Sequence, residues 1–89
     1  MYRLEIAPSA DRDLVKLRDR IRKEDLERLR MAVNSLAEQP RPQGVRKIKG
    51  ADYAYRIRIG SYRIVYEVFD RDKLVLILQI ARRTETTYR

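Results

Sequence analysis

The feature that most constrains this chain is an alternation of apolar and basic side chains on both sides of a Gly-Ser pair. Residues 53–59 read YAYRIRI and residues 62–68 read YRIVYEV, with Gly60 and Ser61 between them. Period-two alternation is typical of a strand with one buried face. A two-residue link containing glycine is typical of a tight β-hairpin. The sequence therefore predicts an antiparallel hairpin with Gly60 and Ser61 at its tip.

This hairpin fixes which side chains face each other. The predicted register pairs Ile59 with Tyr62, Arg58 with Arg63, Ile57 with Ile64, and Arg56 with Val65. Like charges opposite each other destabilise a sheet, so a face carrying Arg56, Arg58 and Arg63 indicates an anion site, and a bound phosphate would offset the repulsion. The alternative is an ordinary solvated face, neutralised by Glu67 or by an acidic residue elsewhere.

The first half of the chain predicts a strand and two helices. Residues 2–6 alternate as a short strand that Pro8 ends. Ser9 is then the expected N-cap of a helix, with acidic residues in the first turn. Two apolar stripes follow at helical spacing. They comprise Leu14, Leu17 and Ile21, and then Leu26, Leu29, Val33 and Leu36, before Pro40 and Pro42. These stripes predict a helical hairpin.

The second half completes the fold with further strands. Residues 45–50 read as a short basic strand closed by glycine, and residues 70–72 as a turn. Residues 74–81 are apolar except for Gln79, which predicts a central strand covered on both faces. The whole chain, residues 1–89, is expected to be one α+β domain in which an N-terminal strand and a helical hairpin pack on a small, largely antiparallel β-sheet.

Composition excludes several kinds of chemistry. The chain has no cysteine and no histidine, so it offers no disulfide, thiolate nucleophile or zinc-finger ligand set. Its net charge is +8, and residues 45–89 carry most of the excess, which favours a polyanionic partner. No segment is long and apolar enough for a membrane span or a signal peptide. We therefore expect a cytoplasmic protein with no membrane partner, no metal site and no cofactor.

Several segments together resemble the RelE branch of the RelE/ParE superfamily of type II toxins. They are Lys47-Ile48-Lys49-Gly50, YRIRIG at 55–60, YRIVYEV at 62–68, Ala81-Arg82-Arg83, and Tyr88 near the terminus. The resemblance covers nearly the whole chain. It implies a RelE-like fold and a ribosome-dependent endoribonuclease that cuts messenger RNA in the ribosomal A site. It also implies a cognate antitoxin that covers the toxin in a hetero-oligomer.

The resemblance also implies roles for particular residues. The catalytic set by position is Arg56, Arg58, Arg63, Arg83 and Tyr88. The residues expected to contact RNA or the ribosome are Lys47, Lys49, Arg82 and Arg89. In the implied mechanism the ribose 2′-OH attacks the adjacent phosphate without a metal, and arginines stabilise the developing charge. Tyr88 would act as the general base or stack on a nucleobase.

The sequence departs from the family pattern at two places. Many relatives have lysines at the positions of Arg56 and Arg58, and an arginine exchanges protons less readily than a lysine. Many relatives also have glycine and then histidine or lysine where Ala81 and Arg82 stand, which leaves the acid for the leaving 5′-oxygen unassigned. Two other functions use the same scaffold and charge. One is ParE-like inhibition of DNA gyrase, and the other is a non-catalytic RNA- or ribosome-binding module.

Overall fold

The predicted hairpin forms two neighbouring strands of a five-stranded sheet in the computed structural model, which describes residues 1–82. The elements are β1 (Arg3–Ile6), α1 (Pro8–Leu17), α2 (Lys23–Ser35), β2 (Arg46–Lys47), β3 (Ala54–Ile59), β4 (Tyr62–Phe69) and β5 (Leu74–Arg82). The strand order is β1-β5-β4-β3-β2, with β1 parallel to β5 and the other neighbours antiparallel. This confirms the predicted α+β fold class.

The hairpin register is the one predicted from the sequence. Ile59 faces Tyr62 and Arg58 faces Arg63, with Gly60 and Ser61 as the connection. Gly60 has a φ of +60°. A two-residue hairpin loop can require positive φ at its first position, which glycine adopts without steric penalty.

One face of the sheet forms the core together with both helices. Tyr62, Ile64, Tyr66 and Val68 of β4 are all buried and cluster with Ala10 of α1 and Leu29 of α2. The Tyr66 hydroxyl donates to the Pro40 carbonyl at 2.8 Å, and burial raises the pKa of Tyr66 to about 12. The intervening residues of β3 and β4, which include the arginines, therefore lie on the opposite face.

The start of the first helix differs from the prediction. Ser9 is not the N-cap, because α1 begins at Pro8 after Ala7 and has no side-chain cap. Proline suits this position since its missing N–H would have no helical partner there. The Ser9 hydroxyl instead donates to the Leu78 carbonyl at 2.7 Å. The helix also ends at Leu17, so Ile21 packs on the core from the connection to α2.

The last strand is less enclosed than expected. β5 lies between β1 and β4, so β4 occupies the centre of the sheet. Val75, Ile77 and Ile80 are buried, whereas the residues between them are partly or fully exposed. The prediction that this strand lies inside the sheet is confirmed, since β5 pairs on both sides, but the prediction that both of its faces are covered is wrong. Its apolar composition reflects one buried face and one half-buried face.

A polar network fastens the connection after α2 to the sheet. Arg41 donates two hydrogen bonds to Asp70, at 2.8 and 3.2 Å, and one to the Tyr55 hydroxyl at 3.0 Å. Tyr2 donates to the same carboxylate at 2.6 Å. These donors hold the pKa of Asp70 below its usual value, while the bond to Asp70 raises the pKa of Tyr2. Within the described part of the chain, neither helix is long and apolar enough to cross a membrane.

Candidate nucleic-acid interface

Two arginine pairs lie on the sheet face opposite the core. Arg58 of β3 is directly opposite Arg63 of β4, and Arg56 of β3 is directly opposite Arg46 of β2. Cross-strand partners share a face, and so do residues two apart on one strand. The four side chains therefore form one group across three strands, which we call the arginine face (Arg46, Arg56, Arg58 and Arg63).

No counter-charge is paired with the arginine face within residues 1–82. The five ion pairs found in that part of the chain all involve other arginines. Glu67, the acidic residue considered as a neutralising partner, lies opposite Ala54 on the same face, but it forms none of these ion pairs. The Nε of Arg63 is buried and has no hydrogen-bond partner among the same residues. Burial without a partner is unfavourable for a charged group, so this arrangement favours an anionic ligand.

A groove runs beside the outer arginines. It has a volume of about 600 Å³ and is lined by Arg46, Arg56 and Arg58 together with Gln43 and Gly44 of the preceding loop. A guanidinium group can donate two parallel hydrogen bonds to one phosphate and stays protonated at any physiological pH. The groove can therefore hold phosphate groups, but its arginines are poor candidates for proton transfer.

A second pocket lies where β4 begins and β5 ends. Arg82 faces Tyr62 across the sheet, and it lines a pocket of about 300 Å³ together with Arg63. Lys16 and Arg20 of the first helix and its following turn complete the basic lining. The structure thus brings Arg82 close to a member of the arginine face.

The two lysines predicted to contact RNA lie at the margin of this surface, where Lys47 shares a depression with Arg46 and Arg56. Lys47 is opposite Tyr55, which belongs to the face that packs on the core. Lys49 follows β2 and shares a shallow depression with Lys47 and Asp52. Neither lysine lines the groove formed by the outer arginines or the pocket at Arg82. Arg83, Tyr88 and Arg89 lie outside the described residues.

Sequence reasoning missed three basic residues of this surface. Arg46 belongs to a segment predicted as a basic strand, but two residues of β2 carry too little periodicity to fix a register. Lys16 and Arg20 looked like part of a helix surface of mixed charge. Over residues 1–82, no three acidic side chains come together in a way that could hold a metal ion.

Comparisons show which known proteins this chain is similar to. The family profile described as "ParE toxin of type II toxin-antitoxin system, parDE" matches residues 4–86. A protein of Methanocaldococcus jannaschii named "Putative toxin RelE1" is 32% identical over 62 residues, which cover 66% of this chain and 69% of that protein.

Solved structures show the same fold. RelE in the archaeal RelE-RelB complex of Pyrococcus horikoshii has a TM-score of 0.76 and 29% identity, covering 96% of this chain and 98% of that one. The isolated RelE toxin of E. coli has a TM-score of 0.73 and 24% identity, covering 97% and 88% of the two chains. The second similarity is one of fold alone.

Proposed function

This chain belongs to the RelE/ParE family of toxins of type II toxin-antitoxin systems, and we propose that it is an endoribonuclease that cuts messenger RNA in the ribosomal A site. One observation carries the proposal. The fold places two arginine pairs on an open sheet face without an ion-pair partner among residues 1–82. Such a face is unfavourable alone and favourable with bound phosphates.

In the proposed reaction the ribose 2′-oxygen forms a bond to the adjacent phosphorus as the bond from phosphorus to the 5′-oxygen breaks. The products are a 2′,3′-cyclic phosphate and a 5′-hydroxyl group. Arg58 and Arg63 donate to the non-bridging oxygens, whose negative charge increases in the transition state. Preorganised donors of this kind need no metal or cofactor.

Proton transfer is assigned to residues other than these arginines. The 2′-OH proton must be removed and the leaving 5′-oxygen must gain one. Arginine keeps its proton near neutral pH, so the groove residues only bind and orient the phosphate. On the resemblance to RelE toxins, we propose a further phosphate contact for Arg83. On the same resemblance, we propose that Tyr88 acts as the general base or stacks on the base of the scissile nucleotide.

The same proposal includes a protein partner and a location. The similar RelE of Pyrococcus horikoshii was solved as a complex with RelB, and we propose that a cognate antitoxin likewise binds this chain in a hetero-oligomer. A net charge of +8 favours acidic segments in that antitoxin. A ribosome-bound substrate places the activity in the cytoplasm.

A second candidate function is inhibition of DNA gyrase without RNA cleavage. The description of the family profile that matches this chain names the ParE toxin, and ParE-like proteins share the scaffold. The arginine face favours the nuclease, since a charged face that stabilises a phosphorane has no evident role in a gyrase inhibitor. A non-catalytic module would bind RNA through the same arginines with strong salt dependence and yield no product.

Primer extension on a translating ribosome with a defined message tests the proposal. Wild-type protein should cut ribosome-bound message and leave naked RNA intact, and EDTA added to the preformed complex should not stop cleavage. The double variant Arg58→Ala/Arg63→Ala should lose the cuts. A matched control, Arg18→Ala/Arg71→Ala, removes the same charge from exposed positions and should keep them.

Absence of cuts by folded wild-type protein would overturn the proposal. Inhibited supercoiling by gyrase in that case would establish the second candidate function. Equal cutting by the double variant and its control would exclude the arginine face from the chemistry.

A further inference from the structure

The first helix continues along an edge of β5 that β1 leaves uncovered. β1 pairs with β5 only as far as Ile77. Beyond that point, side chains of α1 take over the hydrogen bonding. Ser9 donates to the Leu78 carbonyl at 2.7 Å, and the Ile80 N–H donates to the Asp13 carboxylate at 2.9 Å. These two bonds fix α1 against the end of the strand.

The same placement gathers basic side chains at the end of the sheet. Lys16 follows Asp13 by three residues, which on a helix is the same side, and Arg20 lies in the turn after α1. Both line the pocket at the start of β4. Arg63 and Arg82 enter it from the sheet. The pocket thus has four basic side chains and one carboxylate, and the carboxylate already accepts the Ile80 N–H.

Arg63 connects this pocket with the arginine face. It lies opposite Arg58 on one side and lines the pocket on the other. Its buried Nε has no hydrogen-bond partner within residues 1–82. Neighbouring strands are about 4.8 Å apart, so cations follow one another from β2 across β3 to Arg63 of β4. Arg82 of β5 and then Lys16 and Arg20 continue the series through the pocket. A ligand with repeated charges matches this row, whereas a single carboxylate or phosphate would meet only one part of it.

We propose that the pocket formed by Lys16, Arg20, Arg63 and Arg82 is a second phosphate subsite. It binds a neighbouring phosphodiester of the same single-stranded RNA whose scissile phosphate lies on the arginine face. The identity of the ligand rests on the proposed function. Lys16 and Arg20 act as binding residues that hold the strand in register, with no part in proton transfer.

Binding of a labelled single-stranded oligoribonucleotide with 2′-O-methyl groups tests this subsite, because such a probe cannot be cleaved by 2′-OH attack. The test variant is Lys16→Ala/Arg20→Ala. The matched control is Arg12→Ala/Arg18→Ala, which removes the same charge from exposed positions on or next to the same helix and outside the pocket. Circular dichroism and thermal melting establish that each variant is folded.

The test variant should bind about tenfold more weakly at moderate salt than the control. For the test variant, the slope of log Kd against log salt concentration should be smaller by about 1.4, since each lost phosphate contact on a single strand changes that slope by roughly 0.7. The charge-conserving variant Lys16→Arg/Arg20→Lys should recover most of the affinity. Equal losses of affinity in the test and control variants would show that the effect comes from overall charge, and would overturn the proposal. The proposal would also be overturned if neither variant lost affinity for the probe.

Ribosomal cleavage measured in parallel separates this inference from the proposed function. Wild-type cleavage together with equal probe binding by the test and control variants would reject the subsite and leave the nuclease standing. Selective loss of probe binding in the test variant, with no cleavage by wild type, would support the subsite and reject the nuclease.

Discussion

Arg58 and Arg63 are cross-strand partners in the hairpin. Most other residue pairs at these two positions would make the hairpin more stable. Two guanidinium groups on directly opposed residues repel, and no carboxylate in residues 1–82 pairs with either. A bound phosphate would offset this repulsion. Stability and function should therefore respond in opposite directions when one arginine is replaced.

Arg58→Gln should raise the free energy of unfolding at low ionic strength by roughly 0.2–1 kcal/mol, because it removes the like-charge contact. The gain should shrink as salt screens the repulsion. Urea unfolding at two salt concentrations measures both effects, with Arg71→Gln in an exposed turn as the control. A loss of stability in Arg58→Gln would show instead that this guanidinium makes stabilising contacts.

Asp70 should make the stability of the protein sensitive to acid. Its hydrogen bonds from Arg41 and Tyr2 lower its pKa in the folded state, so the folded protein holds the Asp70 proton less tightly than the unfolded chain. The stabilisation is complete above the unfolded pKa of about 3.9 and is lost as pH falls through the lower folded pKa.

Asp70→Asn should consequently lower the melting temperature near neutral pH and have little effect at the acid end of the titration. Melting curves recorded between about pH 6 and pH 2 test this window. Asp72→Asn, in the same turn, removes a carboxylate that forms no ion pair within residues 1–82 and serves as the matched control. Parallel curves for Asp70→Asn and wild type would show that the Arg41–Asp70 pair adds nothing to stability.

At the scale of elements, α1 takes the place of a missing strand partner beside the end of β5. The Ile80 N–H donates to Asp13, and β5 has a register irregularity opposite Val65 and Tyr66. Bulges of this kind are common next to active sites, where they change the direction of later side chains. Here Gln79 and Ala81 are paired with Val65 and Arg63, which places them on the arginine face.

Asp13→Ala should lower the free energy of unfolding by about 1–3 kcal/mol, since it leaves the partly buried Ile80 N–H without its acceptor. Hydrogen exchange at the Ile80 amide should accelerate more than exchange in the middle of β4. Asp19→Ala, in the exposed turn after α1, should change neither quantity. Unchanged protection of Ile80 in Asp13→Ala would contradict the role assigned to this contact.

The elements predicted correctly are those whose local pattern is long enough to fix them. The hairpin register followed from two alternating segments and a glycine, and the structure reproduces it. The pairing of Arg46 with Arg56 could not be predicted because β2 has only two residues. The capping role given to Ser9 failed because Pro8 can itself begin a helix. A tertiary contact decided the pairing of β2, whereas the local preference of Pro8 decided where α1 begins.

At the scale of the whole molecule, the fold separates two tasks between the two faces of one sheet. The face that packs on the helices supplies stability through an apolar core. The opposite face and the adjoining end of α1 gather the cations. This division explains how a chain of 89 residues with a net charge of +8 can fold and still keep a concentrated positive surface. The central claim is that this surface serves attack by a ribose 2′-OH on RNA.

A message with a single 2′-deoxynucleotide at the cleavage position tests that claim most directly. On translating ribosomes, the unmodified message should be cut to a 2′,3′-cyclic phosphate and a 5′-hydroxyl end that a kinase labels without prior phosphatase treatment. The message with 2′-deoxyribose at that one position should remain intact there. Cleavage of the deoxy-substituted position at the rate of the unmodified one would contradict the account.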